Sequence, residues 1–372
     1  MRINSPLGGL DNPFVNTQGQ RNIFPVTFDQ NATFSLNGPF LSLSNDMAAT
    51  HVDQWNINVE RQLTSSWFAS IGYLGSRTNN IWESSPLNNA VFQNVGAAPP
   101  SAANINARRP FTLQDPSNGQ YYGPVDMYVT DGTQSYKGML LSVRKTGART
   151  TLSANYALSH CFGSPDGFGG ATTNVSSGYN KPGDPHFDDG NCTADRLQNF
   201  TMTGSAMSGR YEGWKAIGSD WQIVGSFRAL TGPWLTITTG ADVALNGQAA
   251  TQRANQVSDD YYANQAVNPT TNAISFLNPA AFSRPAAGTL GTMQRNLVRG
   301  PDSKNLDLAL TRAFKAASGR YVEVRIEAFN AFNWFEWGNP NTAINAGTFG
   351  LITSTSATVP PRVMQLAVKY VF

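Results

Sequence analysis

The sequence PRVMQLAVKYVF, residues 361–372, alternates strictly between two kinds of side chain. Every second residue is apolar or aromatic: Met364, Leu366, Val368, Tyr370 and Phe372. The residues between them are Gln365, Ala367, Lys369 and Val371. A period of two predicts a β-strand, and about ten residues suffice to cross a bilayer as a tilted strand. The pattern therefore predicts a strand with one face suited to lipid, although a strand of a soluble β-sandwich can alternate in the same way.

The same alternation occurs in several segments upstream. They are residues 51–63, 66–75, 135–145, 150–160, 197–207, 221–228, 304–314 and 321–332. The segment that begins at 221 could either end near 228 or continue through PWLTITTG, residues 233–240. With the C-terminal segment, the sequence predicts about nine spanning strands, whereas single-chain bacterial barrels have an even number.

The connections between these segments alternate between short and long. The long ones cover about 76–133, 161–196, 240–303 and 333–361. Loops above about fifteen residues are uncommon in compact soluble domains, whereas outer-membrane barrels have short periplasmic turns and long extracellular loops. We therefore predict an all-β fold, an antiparallel transmembrane β-barrel that is partial and contains about nine strands of a larger barrel. Residues 1–50 are predicted as an extracellular loop region entering the barrel, and 51–372 as the C-terminal transmembrane barrel segment.

Charged side chains within the predicted strands lie opposite the aliphatic rows. A charge facing lipid near the midplane costs about 2–4 kcal/mol, so these side chains are predicted to line the lumen. They are Arg228, Asp307, Glu323, Arg325 and Glu327. Arg61 and Arg312 are exceptions near predicted periplasmic ends, where a long side chain can reach the headgroups. Candidates for the interfacial aromatic belts are Trp55, Trp67, Tyr73, Tyr156, Trp221, Tyr370 and Phe372, which could equally be buried aromatics of a soluble core.

The overall composition excludes several classes of protein. Charged residues make up 13% of the chain, and the net charge of +2 gives no electrostatic footprint for nucleic acid. No apolar run is long enough for a transmembrane helix, and the first residues lack the features of a signal peptide. If the protein is exported, we expect the exporting segment to lie outside this sequence.

Few residues are candidates for chemistry. Cys161 and Cys192 lie near the two ends of one predicted extracellular loop, and we predict that a disulfide closes that loop. With His160 and His186 they could instead bind zinc, although the spacing fits no usual ligand pattern. A calcium site and a solvated acidic loop are the two alternatives for Asp184, Asp188, Asp189 and Asp195. GFGG at 167–170 lacks the frame of a phosphate loop, and no catalytic motif is present, so we predict neither an enzyme nor a cofactor.

Several segments, in their order, resemble one family. They are HVDQWNINVERQLTSSWFASIGYLGS, SYKGMLLSVRK, ANYALSH, DRLQNFTMTGS, FLNPAAFSRPAAGTLGTMQRNLVRGPDSKNLDLALTR, VRIEAFNAFNWFEWGNPNT and PRVMQLAVKYVF. From about His51 onwards the chain resembles the C-terminal half of Oar-like TonB-dependent outer-membrane transporters. The resemblance implies a barrel of about twenty-two strands in the bacterial outer membrane, with an N-terminal plug and a TonB box. It also implies outer-membrane lipid, the barrel assembly machinery and the TonB complex as partners, with Val368, Tyr370 and Phe372 as the assembly signal.

The function expected from these observations is part of a TonB-dependent receptor that takes up a ligand across the outer membrane. The plug and TonB box are not visible in this sequence. A carbohydrate or a peptide could bind the loops at about 76–133, 161–196 and 240–303. One alternative is an outer-membrane adhesion or structural barrel without import, and another is a secreted soluble β-rich binding protein. Because open sheet edges in lipid are costly, a longer or split polypeptide, or several copies, would have to close the barrel.

Overall fold

The computed structural model describes residues 36–165, 179–248, 251–315, 320–356 and 360–372. Its strands are, in chain order, β1 Gly38–Leu43, β2 His51–Gln62, β3 Trp67–Pro86, β4 Tyr122–Thr146, β5 Thr150–Gly163, β6 Gly190–Asn191, β7 Gln198–Met207, β8 Trp221–Leu230, β9 Trp234–Leu235, β10 Asn255–Gln256, β11 Ile274–Ser275, β12 Phe282–Ser283, β13 Val298–Arg299, β14 Ser303–Lys315, β15 Tyr321–Phe329, β16 Leu351–Ile352 and β17 Val363–Val371. The helices are short: α1 Pro110–Gln114, α2 Pro116–Gly119 and the 3-10 turns Ala102–Asn104, Asn106–Arg108, Pro185–Asp188, Gly213–Gly218 and Pro279–Ala281. No described helix is long and apolar enough to cross a membrane.

One large antiparallel sheet dominates the fold. Its strands follow the order β17, β15, β14, β8, β7, β5, β4, β3, β2, so every long strand pairs with its neighbours in the chain. These nine strands correspond to the nine predicted from the alternation, which confirms the predicted strand pattern. Two short strands lie beside this path, where β1 pairs with β4 in parallel and β6 pairs with β5.

The register gives the sheet one apolar and one polar face, because directly paired residues point to the same side. One row across seven strands contains Val59, Ile71, Leu141, Tyr156, Phe200, Ala229 and Lys304. The next row contains Glu60, Ser70, Ser142, Asn155, Thr201, Arg228 and Asn305. The apolar face is open to its surroundings, since Ile57 and Leu366 are 66% and 71% exposed. We call these two surfaces the apolar face and the polar face.

The connections between long strands confirm the predicted asymmetry. One edge of the sheet carries the connections 63–66, 147–149, 208–220 and 316–320. The opposite edge carries 87–121, 164–197, 231–302 and 330–362. Connection 208–220 is longer than a tight turn and contains the 3-10 turn Gly213–Gly218. All of the long connections therefore leave the sheet on one side.

Two predicted boundaries were wrong. The stretch 76–133 was expected to be irregular, but β3 continues to Pro86 and β4 begins at Tyr122. Side-chain alternation is lost near Asn80, which has a φ of 56°, yet backbone pairing resumes beyond the register shift there. Within the predicted loop 1–50, residues Gly38–Leu43 form β1, while 1–35 lie outside the described residues.

The boundary that the sequence left open is that of β8, which ends at Leu230 and does not continue through 233–240. Pro233 has no N–H group to donate to a neighbouring strand. Gly232 passes so close to the next segment that a side-chain carbon there would lie 1.8 Å from the carbonyl oxygen of Gly300. The chain therefore leaves the sheet, and Trp234–Leu235 pairs with Val298–Arg299.

The long connections pack together into a layer with its own hydrophobic core. We call this layer the cap: the described residues of 87–121, 164–197, 231–302 and 330–356. Its core consists of Ile237, Ala254, Ile274, Phe276, Leu277, Ala281, Phe282, Met293, Val298 and Ile352. The main buried apolar cluster thus lies beside the sheet and holds together segments that are far apart in sequence.

The sheet is an open, partial barrel. Within the described residues, β2 pairs only with β3, and β17 pairs only with β15. Both edge strands therefore present unpaired backbone groups along one side.

Candidate functional site

The five charged residues predicted to line the lumen all lie on the polar face. Arg228 pairs with Asn305 in the polar row described under the fold. Asp307 lies two residues after Asn305 in β14 and pairs with Ser226 on the same face. On β15 the other three, Glu323, Arg325 and Glu327, pair with Lys369, Ala367 and Gln365. Two of them form an ion pair, with Arg325 Nη2 2.5 Å from Glu327 Oε1. The structure thus brings the predicted charges to one surface, and that this surface surrounds a lumen remains a prediction.

Further along the same face, the surface carries polar groups without charge. A cavity of about 590 Å³ lies there, and its polar lining residues are Asn56, Asn58, Ser70, Ser142, Asn155 and Thr201. Leu74, Leu140 and Ala157 line it as well. Amide and hydroxyl groups both donate and accept hydrogen bonds, so this trough suits neutral polar groups better than ions. The sequence prediction of lumen residues did not include these side chains, because it rested on charge alone. The alternating Asn, Ser and Thr residues were the available signal.

A disulfide joins β5 to the cap. The sulfur atoms of Cys161 and Cys192 are bonded, and the two Cα atoms are 5.4 Å apart. The Cys192 N–H also donates to the Cys161 carbonyl oxygen at 3.1 Å, beside the short pairing of β5 with β6. Because both sulfurs are in this bond, neither is a thiolate ligand for the zinc site left open above.

The histidines and aspartates of this loop are paired with separate partners. His160 Nδ1 lies 4.0 Å from Asp195 Oδ2, and His186 Nδ1 lies 2.9 Å from Asp189 Oδ2. Asp184 accepts a hydrogen bond from Lys181 Nζ at 2.8 Å. Among the described residues, no three His, Cys, Asp or Glu side chains are arranged to hold a metal ion. GFGG at 167–170 lies outside the described residues.

The exposed His186 responds to pH through Asp189. The hydrogen bond to this carboxylate, followed by its charge, raises the pKa of His186 above its ordinary 6.5. A raised pKa means that the pair stabilises the loop below pH 6.5 and that this contribution is lost as pH rises through the folded-state pKa. We expect Asp189→Asn to lower the pKa of His186 towards 6.5, measured by NMR titration of the imidazole protons. An unchanged titration curve would contradict the pairing.

Two buried arginines connect different segments of the cap. Arg108 is fully buried and donates to the carbonyl oxygens of Val91 at 2.6 Å and Leu245 at 2.7 Å. Burial lowers the pKa of Arg108. Arg253 forms a buried ion pair with Asp188 and donates to the Met293 carbonyl oxygen at 2.7 Å. These contacts hold the long connections in one arrangement, and nothing in the sequence pattern distinguished these arginines from exposed ones.

The predicted assembly signal lies at the open edge of the sheet. Val368, Tyr370 and Phe372 are on the apolar face and are 66%, 55% and 94% exposed. The rings of Tyr370 and Phe372 have centroids 6.1 Å apart. These side chains and the unpaired edge of β17 are accessible together. Their role in recognition remains a prediction.

Comparison with known families assigns the fold. The model of the outer membrane beta barrel domain matches residues 2–365. The chain belongs to this outer membrane β-barrel family. It is therefore a protein of the bacterial outer membrane, and the apolar face of its sheet is the surface that meets lipid.

Solved structures show similarity over most of the chain at low identity. The outer membrane transporter YddB from Escherichia coli has a TM-score of 0.44 and 8% identity, over 91% of this chain and 34% of its own. P. aeruginosa FpvA bound to heterologous pyoverdines has a TM-score of 0.38 and 10% identity, over 85% of this chain and 26% of its own. BauA, the ferric preacinetobactin receptor from Acinetobacter baumannii, has a TM-score of 0.36 and 10% identity, over 86% of this chain and 29% of its own. The chain thus spans about a third or less of these proteins. A search of curated proteins gave no match.

Proposed function

We propose that this chain is part of the wall of a TonB-dependent receptor that takes up a ligand across the outer membrane. The observation that carries the proposal is the two-faced sheet, whose edges at β2 and β17 are open within the part of the chain that the structure describes. In lipid, each unpaired backbone group costs several kcal/mol, so both edges require further strands. A larger closed barrel would enclose the polar face, which suits a path for polar ligands.

In this proposal the cap lies outside the cell and captures the ligand. Its segments are fixed by the disulfide, by the buried core and by Arg108 and Arg253, so a binding surface on the cap would be preorganised. The energy for import would come from the TonB complex acting on a plug, as the family resemblance implies. A peptide or a carbohydrate remains the proposed ligand class.

A second candidate function is surface adhesion without import. The firmly packed cap supports it, because a rigid extracellular layer can present a constant surface to another cell or matrix. The two functions differ in their need for energy. Import through TonB requires the proton gradient of the inner membrane, whereas adhesion does not.

Energised uptake is the measurement that separates them. Cells with and without the gene would be given radiolabelled peptide and oligosaccharide mixtures, in the presence and absence of a protonophore. We expect accumulation that depends on both the gene and the proton gradient. If uptake is the same with and without the gene while attachment to surfaces changes, the adhesion function replaces import.

Assembly provides a separate prediction. Phe372→Ser should remove most of the heat-modifiable barrel from the outer membrane, because this aromatic is the most exposed residue of the proposed assembly signal. The matched control is Val371→Ser, which lies next to it on the other face of β17. Outer-membrane fractions of both variants would be compared on gels with and without heating. Equal loss in both variants would show that Phe372 has no particular role.

A further inference from the structure

A second cavity lies on the apolar face, outside the proposed ligand path. Its volume is about 610 Å³, and it opens at the edge of the sheet from which the cap extends. Phe200, Ala229 and Lys304 line it, and they are directly paired neighbours in one row of the apolar face. With the cap outside the cell, as in the proposed function on which this step rests, the cavity would lie at the boundary between the hydrocarbon region and the extracellular side. We call it the rim groove.

Aromatic side chains form the second wall of the rim groove. After β15 the chain turns back over the apolar face, and the Trp334 ring lies 6.1 Å from Phe227, centroid to centroid. Phe335 and Trp337 follow, with centroids 4.2 Å apart. Both are exposed. The groove therefore has apolar walls on two sides and continues directly into the lipid-facing surface.

One cation stands at the mouth of the groove. Lys304 is exposed, and its Nζ atom lies 4.8 Å from the centroid of Trp334. Two carboxylates also line the groove, and each accepts a backbone hydrogen bond. Glu336 is buried and uses Oε1 to accept the N–H of Lys304 at 2.6 Å, and Asp302 uses Oδ1 to accept the N–H of Gly232 at 2.8 Å. Among the described residues, the Lys304 ammonium group forms no ion pair. It is thus positioned to meet an anion that lies above an apolar chain.

We propose that the rim groove binds one lipid of the outer leaflet, with an acyl chain along Phe200 and Trp334 and an anionic phosphate headgroup at Lys304. Three observations support this occupant. The groove is continuous with the face that meets lipid, two of its walls are apolar and aromatic, and its one cation, Lys304, lies at the headgroup end beside the carboxylates of Asp302 and Glu336. A water-soluble ligand would not require an apolar groove, with a cation at one end, on the lipid-facing side of the barrel. This proposal does not depend on import.

Three binding probes distinguish the acyl-chain part of the site from the headgroup part: phosphatidic acid, diacylglycerol and inorganic phosphate. Phosphatidic acid carries both the chains and the phosphate, whereas each of the other probes carries only one. The protein, purified in detergent as it is produced in the outer membrane, would be titrated with each probe and analysed by native mass spectrometry. We expect one tightly retained phosphatidic acid, weaker binding of diacylglycerol and no retained phosphate.

Two lysine variants test the headgroup contact. Lys304→Gln should weaken phosphatidic acid binding about five-fold and leave diacylglycerol binding unchanged, since one lysine near an anionic lipid surface contributes about 1 kcal/mol. The matched control is Lys137→Gln, an exposed lysine on the apolar face of β4 that does not line the groove. It should bind all three probes as the original protein does.

Trp337→Ser tests the apolar wall of the groove. It should weaken the binding of both lipids, phosphatidic acid and diacylglycerol.

Several outcomes would overturn the proposal. Equal effects of the two lysine variants would mean that lipid associates with the whole apolar band and not with one groove. Equal affinity for diacylglycerol and phosphatidic acid would remove the role of Lys304. Binding of inorganic phosphate as tight as that of phosphatidic acid would make the site an anion site without a lipid.

Discussion

Replacing Arg253 with methionine should destabilise the cap by about 3–5 kcal/mol, because the substitution leaves Asp188 buried without its cation. The two side chains are each only 3% exposed. Asp188 also accepts hydrogen bonds from the backbone and side-chain nitrogens of Asn180, both at 2.7 Å. Arg253 further donates to the Phe187 and Met293 carbonyl oxygens. The pair therefore joins the disulfide-closed connection to the connection that supplies most of the cap core.

Amide hydrogen exchange in the folded barrel is the suitable measurement, since it reports local opening without unfolding the sheet. Amides of 180–192 and 252–254 should exchange much faster in Arg253→Met, while those of β7 and β8 stay protected. Arg284→Met is the matched control, because Arg284 is an exposed arginine of the same connection. Adding Asp188→Asn to Arg253→Met should restore part of the protection by removing the unpaired charge. Equal exchange in Arg253→Met and Arg284→Met would show that the buried pair does not hold the cap.

The long strands could be predicted because a lipid-facing sheet imposes a simple rule on its sequence. Every second residue must be apolar, and this rule acts on each strand separately, so it is readable without knowing the neighbours. The final strand, β17, shows it most clearly, and the nine-strand path follows from repeating it. Where the sheet leaves the lipid the rule no longer applies. For that reason the extensions of β3 to Pro86 and of β4 back to Tyr122 left no alternation to detect.

The cap could not be predicted because its contacts join residues that are distant in sequence. Its core combines Ile237 and Ile274, which are far apart within one connection, with Ile352, which belongs to another. Its paired strands, such as β11 with β16, are two residues long and have no recognisable period. The composition of these segments, rich in Asn, Gly and Pro, is typical of loops. Only the three-dimensional arrangement shows that they are packed.

Of the residues of the candidate site, the sequence predicted those that carry a charge. Arg228, Asp307 and the charged residues of β15 were assigned to one face because a charge is costly in lipid, and the register places them together. Asn58, Ser142 and Asn155 carry no charge and gave a weaker signal, although they line the trough on the same face. The cost of placing a charge in lipid thus distinguished the two faces of each strand more clearly than did the uncharged polar groups that a ligand would contact.

Leu366 provides the most direct test of which face meets lipid. We expect Leu366→Arg to lower the free energy of unfolding of the barrel in lipid vesicles by about 2–4 kcal/mol, because the residue lies at the middle of β17 on the apolar face. It is 71% exposed and pairs with Ile326, which is on the same face of β15. Denaturant titration in vesicles, followed by tryptophan fluorescence, measures the change.

The neighbouring Gln365→Arg is the control, because it places the same charge at nearly the same depth on the opposite face. Gln365 pairs with Glu327, so the new cation would meet a carboxylate and not hydrocarbon. We expect its effect to stay below about 1 kcal/mol, as for a solvated ion pair. If the two substitutions cost the same, the faces of β17 do not differ in environment. If Gln365→Arg is the more costly one, the polar face is the lipid-facing one and the rim groove lies inside the barrel, which would also exclude a lipid as its occupant.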